Sequence, residues 1–191
     1  MKIDITVPDG VSGKWAVKSF EVTEKDAQRY NISSSIVRFN AQISPGKYKK
    51  LTYFDDTIMS NTPMEIRTHH TAIDQAQGNV LVMGLGLGMY LTAILTKDNI
   101  HKVTVIEKSE DVITLVAPSF KHDPRVTIIH ADAYTWKPPK GEYYNFIWHD
   151  IWPSICSDNL KEMTNLKRRF VRKCDQQMCW AETECKRAKR M

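Results

Sequence analysis

The fold is decided by residues 80–88, which read Val80-Leu81-Val82-Met83-Gly84-Leu85-Gly86-Leu87-Gly88. Four consecutive apolar residues predict a parallel strand that is covered on both faces. The glycines that follow predict a tight turn, because glycine tolerates positive φ angles and lets backbone N–H groups approach a ligand closely. Such a turn between a buried strand and a helix, here over about residues 89–96, is typical of nucleotide-binding α/β sheets.

Strands and helices alternate on both sides of this turn. Upstream, Thr62 and Pro63 begin a predicted helix over about residues 63–77, because threonine caps helices and proline fits their first turn. Downstream, a helix is predicted over about residues 111–116. Three further buried strands are predicted at residues 103–106, 126–129 and 145–148. This alternation predicts a doubly wound, mostly parallel, Rossmann-like α/β sheet.

The flanking segments differ from this core. Residues 1–58 contain β-like runs and turn signals and predict a small N-terminal β-rich segment. Those runs lie at residues 3–7, 15–17 and 35–39. Residues 157–191 predict a basic helical segment, in which residues 177–180 fit either a short fifth strand or continued helix. We therefore divide the chain into residues 1–58, a ligand-binding core at 59–156, and residues 157–191.

The number of residues after the fourth predicted core strand is small. Only 41 residues follow Asp150, and this length predicts a sheet truncated at its C-terminal edge. An exposed strand edge promotes pairing with other chains. We therefore consider the hypothesis that a homodimer covers this edge.

Charge is concentrated near the C-terminus. The chain of 191 residues carries a formal net charge of +5. Residues 160–191 hold ten Lys and Arg against four Asp and Glu, so the remainder is close to neutral. This pattern favours a solvated helix face, and contact with nucleic-acid phosphates remains an alternative.

Composition excludes several classes of protein. With 42% hydrophobic residues the chain can bury a core, so it is neither collagen-like nor broadly disordered. It has no apolar run of the roughly 18–20 residues that a membrane span needs. The first residues, Met1-Lys2-Ile3-Asp4, lack the apolar segment of a signal peptide, so we expect a cytoplasmic protein.

Acidic residues end three of the predicted strands. Glu107, Asp132 and Asp150 follow the second, third and fourth core strands, where ligands of open α/β sheets bind. Each acid alone is more often a solvated turn residue or a helix cap. Together with Gly84 and its turn they predict an adenosine-containing ligand. Glu107 is expected to hold the ribose, Asp132 the adenine amino group, and Asp150 the reacting centre.

The stretch from Phe54 to Pro153 resembles class I S-adenosylmethionine-dependent methyltransferases, and within them the spermidine synthase (aminopropyltransferase) branch. Residues 80–88 are similar to the V-L-V-I-G-G-G-D-G-G motif of that branch, and residues 103–107 to its V-T-x-V-E. Residues 123–126 match D-P-R-V, and Glu65 with His69 matches part of D-E-x-x-Y-H-E. The resemblance implies S-adenosylmethionine, or its decarboxylated form, as cofactor. Cofactor-binding residues would be Gly84, Gly86, Gly88, Glu107 and Asp132.

Departures from this pattern concern the acceptor. The synthases have D-S-[ST]-D-P after the fourth strand, whereas Pro153 here stands in place of the second acid. Met59 and Thr68 replace the branch's glutamine and tyrosine. We therefore favour a methyltransferase of unknown acceptor over an aminopropyltransferase. A non-catalytic ligand-binding or assembly protein that retains the fold is a third alternative.

Histidines supply further candidates. His149 and Asp150 can form a general base and the group that orients it, although His149 packed against neighbouring tryptophans is an equal alternative. One of His69 and His70 can face the site. No metal is predicted, because the cysteines lack the close pairing of zinc sites.

Overall fold

The computed structural model describes residues 3–35 and 42–189. Within them lie a four-stranded antiparallel sheet and a five-stranded parallel sheet. The predicted Rossmann-like, mostly parallel core with a β-rich N-terminal segment is therefore confirmed.

The antiparallel sheet has the order β1-β2-β3-β4. Its strands are β1 (Gly10–Ser12), β2 (Trp15–Val22), β3 (Gly46–Tyr53) and β4 (Asp56–Ser60). Helix α1 (Glu24–Ser35) connects β2 to the segment before β3. This helix was not expected from the sequence, although its start carries a capping signal: the backbone N–H of Asp26 donates to Thr23 Oγ1 at 3.1 Å.

Two of the β-like runs that the sequence indicated do not appear as strands in the described residues. Residues 3–7 form no strand, although Ile3, Ile5 and Val7 alternate in burial and pack into the main core. In the run at 35–39, Ser35 ends α1, and residues 36–39 lie outside the described part of the chain.

The parallel sheet has the order β7-β6-β5-β8-β9, with β5 at its centre. Its elements, in chain order, are α2 (Pro63–Gln75), β5 (Gly78–Met83), α3 (Met89–Leu95), β6 (Ile100–Glu107), α4 (Glu110–Val116), a 3₁₀ turn (Ala117–Phe120), β7 (Val126–His130), β8 (Tyr144–His149), α5 (Asn159–Phe170), β9 (Cys174–Cys179) and α6 (Glu182–Ala188). Each of the four predicted core strands lies within one of these strands.

Burial on both faces explains why the central strand is continuously apolar. Val80 and Val82 pack into one core cluster together with residues of α2 and α3. Leu81 and Met83 pack into a second cluster that includes residues of α5. The alternation of side chains along β5 thus supplies both layers of the fold.

The basic C-terminal segment contributes to the main sheet. Residues 174–179 form β9, which pairs in parallel with β8, so the strand alternative holds at residues 177–179. Within the described residues, no strand follows β9. The antiparallel sheet also continues across the predicted boundary at residue 58, because β4 ends at Ser60. The three-part division of the chain stays a prediction.

In the part of the chain that the structure describes, no helix is both long and apolar enough to cross a bilayer.

Lys97 holds the C-terminal end of α2 in place. Its Nζ donates to the backbone oxygens of Ile73, Asp74 and Ala76 at 2.5–2.9 Å. The first two carbonyls lie in the last turn of α2, where helical oxygens lack partners within the helix, and the third belongs to Ala76, which follows the helix. The lysine therefore fixes α2 against the loop that follows α3.

We expect Lys97→Met to lower the free energy of unfolding by about 1–3 kcal/mol, because three carbonyl oxygens lose a charged donor. Urea denaturation of the variant checks this. Lys121→Met, which alters an exposed lysine, serves as the control. Equal stability of both variants would contradict the capping role.

Candidate functional site

A cavity of about 510 Å³ lies at the C-terminal edge of the parallel sheet. Gly84, Glu107 and Asp150 line it at the ends of β5, β6 and β8. Residues of the antiparallel sheet, among them Tyr53 and Met59, line it as well. The volume falls in the range of small-molecule sites, and its position is where open α/β sheets bind ligands.

The glycine turn is required by close contacts with other parts of the protein. Gly84 has φ +99°, and a Cβ at this position would overlap the backbone oxygen of Asp150. Gly86 has φ +51°, and a Cβ there would overlap Met59 Sδ, which accepts the Leu87 N–H at 2.9 Å. The turn is thus packed tightly between β8 and β4.

Gly88 has a different environment. Its φ of +74° begins α3, and a Cβ would overlap the ring of Phe120. It does not line the cavity, unlike Gly84 and Gly86. The third glycine of the motif therefore serves helix packing in this structure.

Glu107 is anchored on the turn. Its Oε2 accepts the Leu85 N–H at 2.8 Å, and its Oε1 accepts the Ser109 N–H at 2.7 Å. A carboxylate has about four acceptor positions, so capacity for ligand hydroxyls remains. The geometry presents an oriented carboxylate to the cavity.

Asp132 also lines the cavity and is held by two partners. Its Oδ2 lies 2.9 Å from Lys108 Nζ, and its Oδ1 accepts the Tyr134 N–H at 2.8 Å. The hydrogen bond from Lys108 lowers the pKa of Asp132, so this group is a carboxylate at neutral pH. Sequence reasoning missed Lys108, although it directly follows the acid that ends β6.

Asp150 lies next to His69. His69 is 1% exposed on α2, and its Nε2 lies 2.9 Å from Asp150 Oδ2. Its Nδ1 lies 3.0 Å from the backbone oxygen of Glu65. Because that oxygen can only accept, Nδ1 carries a proton, and a second proton lies between Nε2 and the carboxylate.

The charge state of this pair follows from its surroundings. Burial opposes a charge on His69, but the charge and hydrogen bond of Asp150 outweigh burial, so the pKa of His69 is raised above its ordinary value. The raised pKa favours the protonated imidazole of His69 beside Asp150.

Glu65 adds a carboxyl group to the same cavity. Its Oε2 accepts from the N–H and the hydroxyl of Ser60 at 2.6 and 3.0 Å. Burial raises the pKa of Glu65 to about 7, despite these hydrogen bonds. Glu65 belongs to a motif that is visible in the sequence, but the sequence alone assigns it no role.

His149 lies away from the cavity. Its side chain is fully buried, Nε2 lies 3.0 Å from Gln177 Oε1, and the ring centroid is 5.9 Å from that of Phe170. Among the described residues, Nδ1 has no hydrogen-bond partner. The expected pairing of His149 with Asp150 is therefore wrong, because His69 occupies that position. Successive side chains of a strand point to opposite faces of the sheet, which explains why His149 does not lie beside the side chain of the residue that follows it.

Within the described residues, no three His, Cys, Asp or Glu side chains form a group that could hold a metal ion. Cys174, Cys179 and Cys185 are each buried as free thiols.

The stability of the protein should depend on pH through His149. Burial lowers the pKa of His149 from 6.5 to about 4. The unfolded chain therefore takes up a proton that the folded chain does not, and His149 should lower the free energy of unfolding by about 2–3 kcal/mol from pH 6.5 to pH 4. Protonation of Glu65, whose pKa burial raises to about 7, acts in the opposite direction, so the His149 contribution is measured as the difference between wild type and a variant.

Urea denaturation across this pH range checks the dependence. Relative to wild type, His149→Gln should gain about 2–3 kcal/mol in free energy of unfolding as the pH falls across this range, whereas His122→Gln, which alters an exposed histidine, should keep the wild-type dependence. The same slope in both variants would show that His149 is not responsible.

The chain is similar to known proteins both in sequence and in fold. Polyamine aminopropyltransferase 1 of Streptomyces coelicolor is 30% identical over 92 residues, which cover 43% of this chain and 17% of that protein. This chain thus spans less than a fifth of that curated relative.

Two solved structures illustrate the similarity in fold. The N-methyltransferase NodS from Bradyrhizobium japonicum WM9 is 15% identical with a TM-score of 0.44, and the match covers 57% of this chain and 62% of that one. The spermidine synthase from Thermotoga maritima is 17% identical with a TM-score of 0.46, covering 62% and 45%.

A family model covers most of the site described above. The model for ribosomal RNA adenine dimethylases matches residues 53–167, which is more than half of the chain and includes the glycine turn and all three strand-end acids. The resemblance to methyltransferases that the motifs indicated is thereby confirmed. The chain belongs to the ribosomal RNA adenine dimethylase family.

Proposed function

We propose that this protein is an S-adenosylmethionine-dependent methyltransferase whose cofactor binds in the cavity at the C-terminal edge of the parallel sheet. The observation that carries the proposal is the convergence of the glycine turn, Glu107 and Asp132 on one cavity. Membership in a family of adenine dimethylases supports methyl transfer as the reaction.

The residues present fit this cofactor. Glu107 is fixed by two backbone N–H groups and keeps acceptor capacity, which suits the two hydroxyls of a ribose. Asp132 is a carboxylate that can accept from the amino group of an adenine. The turn at Gly84 and Gly86 offers a backbone surface to the methionine part.

Asp150 is proposed as the residue that faces the acceptor. When bound, the cofactor supplies a methyl group on a positively charged sulfur, and transfer to an acceptor leaves a neutral thioether and one proton. The Asp150 carboxylate can orient the acceptor or take this proton. Alignment of the reactants supplies much of the rate in such a displacement, so a small catalytic apparatus suffices.

An aminopropyltransferase is the second candidate, with decarboxylated S-adenosylmethionine as its cofactor. Pro153 removes the second acid of the motif, but Glu65 lines the same cavity as Asp150 and supplies another carboxyl group. The relative in Streptomyces coelicolor also favours this candidate. Turnover of the decarboxylated cofactor with a diamine, and none of S-adenosylmethionine, would select it.

Contact with nucleic acid through the basic C-terminal segment remains an interpretation. Several of its cations have internal partners: Lys167 and Lys186 lie against Glu182, and Arg169 donates to the backbone oxygens of Ala133 and Trp136. These contacts favour a structural role for those three residues.

Calorimetric titration with S-adenosylmethionine tests the proposal. We expect binding to wild type, and Glu107→Gln to weaken it by about 10- to 100-fold, because a charged acceptor for hydroxyl groups is lost. Glu110→Gln, which alters an exposed glutamate of α4, is the matched control. Absence of binding to wild type at ~100 μM protein would refute the cofactor assignment.

A further inference from the structure

The cavity has an acidic end built by α2 and the residue after β8. Glu65 and Asp150 both line it, and they come from segments far apart in the chain. Ser60 holds the first carboxyl through two hydrogen bonds, and His69 holds the second. We call Glu65, His69 and Asp150 the acidic cluster.

The net charge of this cluster depends on Glu65. One proton lies between His69 Nε2 and Asp150 Oδ2, so this pair carries no net charge whichever group holds that proton. Among the described residues, no lysine or arginine forms an ion pair with Glu65. The cluster therefore carries about one negative charge when Glu65 is ionised and none when it is protonated.

The acidic cluster adjoins the glycine turn on two sides. Gly84 packs against the backbone of Asp150, and Gly86 packs against Met59, the residue before Ser60. The other charged groups of the cavity are Glu107 and Lys108 after β6 and Asp132 after β7. Lys108 is paired with Asp132, so among the cavity residues that the structure describes no lysine or arginine is left to neutralise Glu65, and the charge of His69 is balanced by Asp150.

We propose that Glu65 gives this cavity selectivity for charge, so that it binds the sulfonium cofactor in preference to the neutral thioether product. The proposal rests on the proposed function and deepens it by assigning the discrimination to one side chain. A positive sulfur in the cavity stabilises the ionised form of Glu65, since opposite charges attract strongly where water is excluded. A thioether offers no such charge, so Glu65 keeps its proton.

Proton release upon binding measures this coupling directly. Because the pKa of Glu65 is about 7, about half of the molecules are protonated at pH 7, and S-adenosylmethionine should release about half a proton per site. S-adenosylhomocysteine should release close to none. The affinity ratio of the two ligands should rise about tenfold from pH 6 to pH 8 in favour of the sulfonium.

Isothermal titration calorimetry of the full chain, in buffers with different ionisation enthalpies, provides both quantities. Glu65→Gln keeps an oxygen for the Ser60 donors and should abolish the difference in proton release and the pH dependence of the ratio. Glu184→Gln, which alters an exposed residue of α6, should behave as wild type. If Glu65→Gln fails to fold, equal proton release by the two ligands in wild type can still overturn the selectivity.

Each outcome has a distinct meaning. Equal proton release by the two ligands, or a ratio independent of pH, would overturn the selectivity while leaving the proposed function standing. A difference that persists in Glu65→Gln would overturn the assignment to Glu65. If neither ligand binds, the proposed function fails and the selectivity fails with it.

Discussion

Three strand ends are joined by backbone hydrogen bonds around Gly84, and the site depends on this junction. The Gly84 N–H donates to the backbone oxygen of Ile106, and the Asp150 N–H donates to that of Met83, each at 2.8 Å. Since Gly84 has no Cβ, the chain after β8 can pass directly beside the end of β5. This close approach brings the acids after β6 and β8 to one cavity, although 43 positions separate Glu107 from Asp150.

Side-chain hydrogen bonds connect helix α2 both to the strand ends and to the antiparallel sheet. Helix α2 contacts the strand ends through the bond between His69 and Asp150, and it contacts the antiparallel sheet through the bonds between Glu65 and Ser60. Because these side chains are already fixed by hydrogen bonds, they lose little conformational entropy upon ligand binding, which favours a preformed site. Lys97, by fixing the far end of α2, contributes to the same arrangement at a distance.

The sequence predicts the central strands well and the edges poorly. Strands that are covered on both faces are continuously apolar, so β5 and β8 can be predicted from the sequence. Strand β9 lies at the edge and reads Cys-Asp-Gln-Gln-Met-Cys, whose polar residues fit a strand or a helix equally. The pairing of His69 with Asp150 could not be predicted from the sequence, because 81 positions separate the two residues. His149 was the candidate instead, because it directly precedes Asp150 in the chain. The roles of Glu107, Asp132 and Asp150 toward a ligand stay predictions.

A crystal structure of the protein with S-adenosylmethionine tests the account most directly. We expect the ribose hydroxyls on Glu107, the adenine beside Asp132, and the sulfur facing the end of the cavity that Glu65 and Asp150 form. A cofactor bound outside this cavity, or bound in it with the ribose against Asp150, would contradict the assignment of the site.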